Sequence, residues 1–199
     1  MSKSRTKLPI SCDSTKCENG LHCFRATKEM IDQNRAGVCI SCGAAPIDWL
    51  RLHGRSIGDA AHTLESLKQE YVRYYFWNIE LKQRPINHAR RKGKIGIRAA
   101  IRRQLETSIA AAKPFHDGFQ TPMPVPDEAT TVYPYAQHAT ATCCRKCLEY
   151  WHGIPRGRQL TADELDYLSE LVFCYVEERV PEMTDQGEYI PAVRKHENL

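Results

Sequence analysis

Apolar residues recur at three- and four-residue steps in several stretches of this chain, and each such stretch predicts a helix. Leu64, Leu67, Tyr71, Tyr75 and Ile79 share one face of a helix that Asp59 is placed to cap and Pro85 ends. Ile97, Ile101, Leu105 and Ile109 stand at four-residue spacing in a second, from about Lys94 to Ala112, closed by Pro114. Its arginines point mostly away from that stripe. A third helix is expected over Ala139 to His152. The clearest start signal is Thr161-Ala-Asp-Glu164, a capping box in which hydroxyl and carboxylate satisfy orphan backbone donors reciprocally. Leu165, Leu168, Leu171, Val172, Tyr175 and Val176 then line one face until Pro181.

Between these helices the pattern is polar. Residues 1–11 read as a basic, flexible lead-in, Thr27–Asn34 as a helical turn or two, and Ala44–Ile57 as a loop. Pro122, Pro124, Pro126 and Pro134 make His116–Tyr135 an extended connector, with a short strand near Thr131–Tyr135. The expected fold is mainly α. A zinc-ribbon-like or knuckle-like module over residues 1–45 precedes a helical domain over 46–185 that carries a His/Cys cluster, and 186–199 form a flexible tail. With 199 residues and 42% hydrophobic content, the chain can bury one sizeable core and a small metal-stapled appendage.

Met1–Ser11 has no apolar run of the kind a secretory leader needs, and no stretch approaches membrane-spanning length. The expected location is the reducing cytoplasm, with no membrane partner. There the nine cysteines do not read as a disulfide framework. They crowd at 12, 17, 23, 39 and 42 and again at 143, 144 and 147, and thiols at such short spacings are candidate metal ligands. Cys174, amid Val172, Phe173 and Tyr175, reads as core.

Gly37-Val-Cys39-Ile-Ser-Cys42-Gly43 has the form of half a zinc knuckle: two thiolates around a tight turn, with Gly43 letting the backbone fold over the metal. For the other half Cys12, Cys17 and Cys23 compete, with His22 adjacent. Cys12 and Cys17 fit ligand spacing best, so Cys12, Cys17, Cys39 and Cys42 are the expected ligands. Four thiolates would close the coordination sphere and stabilise folding, since a polar segment of this size hardly builds a core unaided. In the second cluster a helix would bring Cys144, Cys147 and His152 near one face, and His138 could complete a tetrahedron. The same cysteines could equally pack in the core beside Leu148 and Trp151, or His138 could serve Cys143 or Cys144 as a base.

The net charge of +4 conceals an asymmetry. Lys82, Arg84, Arg90, Arg91, Lys92, Lys94, Arg98, Arg102 and Arg103 face no acid between Leu81 and Leu105, whereas nine acids from Asp163 to Glu188 face only Arg179. The run Arg90, Arg91, Lys92, Lys94, Arg98, Arg102 and Arg103 suits nucleic-acid phosphates, whose neutralisation releases counterions. It suits pairing with the acidic C-terminal helix equally well. Tyr71, Tyr74, Tyr75, Phe76 and Trp77 could stack bases only where they face outward, and at this spacing they read first as core. No phosphate-binding loop, dinucleotide-binding glycine pattern or His-Glu-x-x-His protease motif is present.

Gln137-His-Ala-Thr-Ala, Cys143-Cys-Arg-x-Cys147, Trp151-His-Gly-Ile-Pro155 and Gly157-Arg-x-Leu-Thr161 resemble an uncharacterised bacterial family, a domain of unknown function. That family carries an upstream Asp-Gly-x-Gln-Thr-Pro-Met element like Asp117–Met123 here, and its longer members are similar over the N-terminal cysteines and Asn87–Gly93. The resemblance implies a deliberate His/Cys constellation and brings no activity with it.

Three functional classes follow. The leading one is a zinc-binding, nucleic-acid-binding accessory protein without turnover. The second is a metal-dependent hydrolase or nuclease, with His116, Asp117 and Glu149 as candidate bases beside a metal-bound water. The third is an adaptor whose charged faces meet a protein partner.

Overall fold

The computed structural model describes residues 8–118 and 121–191. The start of the lead-in, Phe119 and Gln120 of the Asp117–Met123 element, and residues 192–199 of the expected tail lie outside the described residues. The fold is mainly α: eight α-helices carry the described chain, and its β pairing amounts to two isolated bridges, Lys16 with Leu21 and His22 with Glu70. No helix is long and apolar enough to cross a membrane among the described residues.

Two short helices, α1 (Lys28–Asp32) and α2 (Trp49–His53), belong to the N-terminal half. The helix expected from Asp59 onward is two, α3 (Ala60–Leu67) and α4 (Tyr71–Asn78). Its break has a tertiary cause. The amide of His22 donates to Gln69 O at 2.8 Å and the amide of Tyr71 to His22 O at 2.8 Å, so the N-terminal strand segment takes backbone groups that a continuous helix would use itself. Resetting the helix also moves its buried face from Tyr71 and Tyr75 to Val72 and Phe76. Asp59 stands at the start of α3, but its carboxylate accepts from Arg51 Nε at 2.6 Å rather than capping the backbone.

Helix α5 runs from Gln83 to Ser108, beginning earlier than expected. Pro85 lies in its first turn, where a missing amide costs nothing. Gly93 interrupts it at φ 65° and ψ 175°, and the backbone groups freed there pair with residues 184–188. Lys94 N donates to Thr184 O (2.9 Å), Ile95 N to Asp185 O (3.2 Å) and Glu188 N to Arg90 O (3.1 Å). The start of the expected flexible tail is thus seated across the kink. Beyond it, Ile97, Ile101 and Leu105 are buried as the stripe predicts.

The expected strand at Thr131–Tyr135 is instead the start of α6 (Tyr133–Ala139), with Pro134 in its first turn. The expected single helix over Ala139–His152 ends at Ala139 and resumes as α7 (Arg145–His152) after Ala141, whose φ of 55° no helix accommodates. Helix α8 (Ala162–Arg179) starts with the capping box intact: Glu164 N donates to the Thr161 hydroxyl at 3.2 Å and Thr161 N to the Glu164 carboxylate at 3.0 Å. It packs along α5 and against α6, and α4 packs on α6. Together these form the core in which Trp151, Tyr135 and Tyr175 are fully buried.

Candidate metal centres

The N-terminal centre is made by two turns. Lys16 and Leu21 exchange backbone hydrogen bonds at 2.8 and 3.1 Å around a turn that Gly20 closes at φ 71°, which brings Cys17 and His22 together. In the second turn Gly43 N donates to Cys39 O at 3.0 Å, with Gly43 at φ 74°, a conformation that favours glycine. Ile40 N donates to Cys23 O at 2.9 Å and ties the two turns to each other. The Sγ atoms of Cys17, Cys39 and Cys42 and a ring nitrogen of His22 consequently all lie within 4.8 Å of one another. Cys17 Sγ and Cys39 Sγ are 3.7 Å apart, and Cys42 Sγ and His22 Nδ1 3.4 Å. Tetrahedral coordination with Zn–S near ~2.3 Å and Zn–N near ~2.0 Å requires edges of roughly 3.8 and 3.5 Å, which these separations match.

Electrostatics suit a cation at this point. Burial opposes ionisation of Cys39, yet backbone hydrogen bonds from Cys23, Cys42 and Ser41, together with the His22 ring, bring its thiol down to about 6. Burial and the neighbouring thiols of Cys42 and Cys39 push Cys17 up to about 11. One thiolate is favoured and the next resisted by like charge, a conflict that a bound cation relieves.

Of the expected ligands, the structure brings Cys17, Cys39 and Cys42 together and places Cys12 outside the group, with His22 in the fourth position. Cys23 is fully buried, its thiol pushed up to about 12 chiefly by burial, and its Sγ donates to Cys12 O at 3.3 Å. The signal that could have singled out His22 is Gly20: a left-handed turn residue between Cys17 and His22 closes that loop and leaves Cys12 on the approach to it.

The second centre lies where α7 begins. Cys144 is the N-cap of α7, its Sγ accepting from Cys147 N at 3.4 Å. The sulfurs of Cys143, Cys144 and Cys147 lie within 4.8 Å of one another, at 3.7 Å for Cys143 to Cys147 and 3.4 Å for Cys144 to Cys147. They face a cavity of about 250 Å³ that Cys12 and His138 also line. Beneath them the buried Arg73 donates from Nη2 to Cys147 Sγ at 3.2 Å and from Nη1 to His138 O at 2.7 Å, while its Nε meets Glu70 at 2.9 Å. Glu70 also accepts from Trp151 Nε1 (2.8 Å), Tyr150 OH (3.1 Å) and the amide of Phe24 (3.2 Å). One buried carboxylate thus joins the N-terminal module to the second centre.

His152 is not part of this group. Its Nε2 bonds Thr140 O at 3.0 Å and its Nδ1 meets Tyr167 OH at 3.3 Å, so both nitrogens are engaged, and burial pushes its pKa down to about 3. Helix α7 begins only at Arg145, with Cys144 as its extended N-cap at φ −159°, so the helical phase that would have aligned His152 with Cys144 does not reach Cys144. Nor do the candidate nucleophiles resemble activated thiols: hydrogen bonding with Cys143, opposed by that with Cys147 and joined by burial, pushes the Cys144 thiol up to about 11, and the Cys143 thiol is raised as well. Two candidate bases are already engaged, Asp117 accepting from Arg145 N at 2.9 Å and Glu149 from Arg156 Nε at 2.8 Å.

The basic run forms the seam between α5 and the C-terminal segment. Arg90 pairs with Glu188 (2.8 Å), Lys94 with Glu177 (2.7 Å), Arg98 with Glu170 (2.5 Å) and Arg102 with Asp166. Arg91 Nε donates to Ile190 O at 3.0 Å. Lys92 and Arg103 have no charged partner among the described residues. These half-exposed pairs contribute little to stability, but they occupy the charges that phosphates would need.

The fold and centres define a mainly helical, cysteine-rich protein with a knuckle-like N-terminal module and groups placed to hold metal. A family model described as "Domain of unknown function (DUF4186)" matches residues 61–177, more than half of the chain, and the protein belongs to that family. The matched range contains the second centre and not the first. No solved structure matches the chain.

Proposed function

We propose that this is a zinc-stabilised binding protein without turnover, in which zinc held by Cys17, His22, Cys39 and Cys42 fastens the N-terminal module to the family's helical domain. The observation that carries this reading is the four-donor group within 4.8 Å. A complete set of protein ligands leaves no position for a substrate or an attacking water, so the ion supplies folding free energy. Zinc rather than a harder ion follows from three sulfurs and one imidazole. Through His22 the metal also acts on the helical domain, because the backbone of His22 pairs with Gln69 and Tyr71.

The pairing of α5 with the acidic C-terminal segment weighs against nucleic acid as the partner, since phosphates would have to displace internal carboxylates. Metal analysis and chelation test the first part: zinc should copurify, and its removal by a strong chelator should lower the melting temperature and expose residues 8–45 to protease. An unchanged melting curve would reject the metal. Titration with mixed DNA and RNA tests the second, and tight binding that weakens steeply with salt would restore the nucleic-acid reading.

A further inference from the structure

The structure assigns a second zinc site, separate from the knuckle, to the thiolates of Cys143, Cys144 and Cys147 and the Nδ1 atom of His138. It goes beyond the reading above because no residue is shared between the two sets.

Two independent observations carry it. The first is the sulfur tripod: separations of 3.4 and 3.7 Å lie near the edge of a tetrahedron around an ion with ~2.3 Å Zn–S bonds. The second is the state of His138. Its Nε2 lies 3.0 Å from Thr121 O, and a carbonyl only accepts, so Nε2 carries the proton and Nδ1 presents a bare lone pair. That Nδ1 has no hydrogen-bond partner, although the residue is only 4% exposed and lines the cavity that the three cysteines line. A buried ring nitrogen left without a partner is costly in an ordinary core. The same arrangement is what a metal-binding histidine adopts: one nitrogen donates to a backbone carbonyl, which sets the tautomer, and the other faces the ion.

The surroundings complete the outer shell. The Cys147 sulfur accepts from Arg73, whose guanidinium offsets part of the thiolate charge and whose other arm holds the His138 carbonyl. The amide of Cys147 donates to Cys144 Sγ. The imidazole stands outside the group of mutually close sulfurs, so loading the site draws His138 inward over the tripod. Cys12 and Asp117 line the same cavity and are the competing fourth ligands; Asp117 is committed to the α7 amide of Arg145, and Cys12 lies outside the family's matched range. Three sulfurs and one nitrogen close the coordination sphere, so the ion locks α6 to α7 rather than activating water.

Cobalt and cadmium substitution of the full chain, under reducing conditions, tests this. Wild type should take up two ions. Cys39→Ser should abolish the knuckle ion alone, and Cys143→Ser the second alone, so each site can fail without the other. Cys12→Ser should leave both ions and the thiolate-to-cobalt charge-transfer absorbance unchanged, whereas His138→Gln should weaken the second ion by more than the ~100-fold that loss of an outer-shell partner causes. Should His138→Gln not fold, wild type loaded with cadmium-113 should still show scalar coupling from the metal to the His138 ring. A single ion in wild type with the knuckle intact overturns the site. Lower charge-transfer absorbance in Cys12→Ser, or absence of that coupling with two cadmium ions bound, overturns His138 as the fourth ligand.

Discussion

The carboxylate of Glu70 and the guanidinium of Arg73 meet at 2.9 Å, one helical turn apart at the start of α4, with neither side chain exposed. A charge pair this deep survives because its remaining hydrogen-bonding positions are filled: Glu70 by Tyr150, Trp151 and Phe24, Arg73 by His138 and Cys147. Removing one partner leaves the other charged and without an equivalent in a dry environment. Glu70→Ala should therefore lower stability by about 3–5 kcal/mol in urea unfolding. A loss under 1 kcal/mol would show that the site is wet or that the pair is not formed.

The crossing at Gly93 makes a backbone prediction. A φ of 65° with ψ near 175° is strained for any side chain, and a Cβ there would come within 2.5 Å of the Gln186 backbone. Gly93→Ala should cost about 1–3 kcal/mol or more and release residues 184–191, read as faster amide exchange at Lys94 and Ile95. Gly96, one turn on, sits in regular helix with its nearest neighbour at 3.4 Å, so Gly96→Ala should be neutral or stabilising by up to about 1 kcal/mol. Equal effects at the two positions would contradict the kink.

Acid should destabilise the protein before its carboxylates titrate. Burial lowers the His152 pKa from 6.5 to about 3, so between those values the unfolded chain binds a proton that the native chain refuses, and stability falls as pH drops below 6.5. Glu164 adds to this below pH 4.5: its hydrogen bond with Arg158, joined by that with the Thr161 backbone and opposed by burial, brings its pKa from 4.5 to about 2. That contribution is present above 4.5 and lost as pH falls toward 2. Unfolding midpoints between pH 7.5 and 3.5 check the sign. NMR should show a neutral His152 ring at pH 5, and a charged one would refute the account.

The knuckle ligands separate by substitution. His22→Ala should reduce zinc retained by the N-terminal centre and lower the melting temperature, whereas Cys12→Ser should leave both unchanged. The reverse outcome would return Cys12 to the first coordination sphere.

The capping box, the buried faces of α5 and α8 and the turn at Cys39–Gly43 were legible in the chain alone, because each depends on residues a few positions apart whose spacing carries its own physical meaning. Other features were decided by distant partners. The break between α3 and α4 follows from His22 pairing with Gln69 and Tyr71 and from a carboxylate whose partners lie as far away as Trp151. Whether Cys12 or His22 joins Cys17 depended on how one glycine turn docks. At the second centre α7 starts only after Cys144, so Cys143, Cys144 and Cys147 gather at its N-terminus while His152, two turns on, turns to Tyr167 and Thr140. The basic run shows most plainly why sequence stops short: its charge was evident, but only the packing of α5 along α8 set carboxylates opposite it. Coulomb attraction depends on distance in space, which local spacing does not encode.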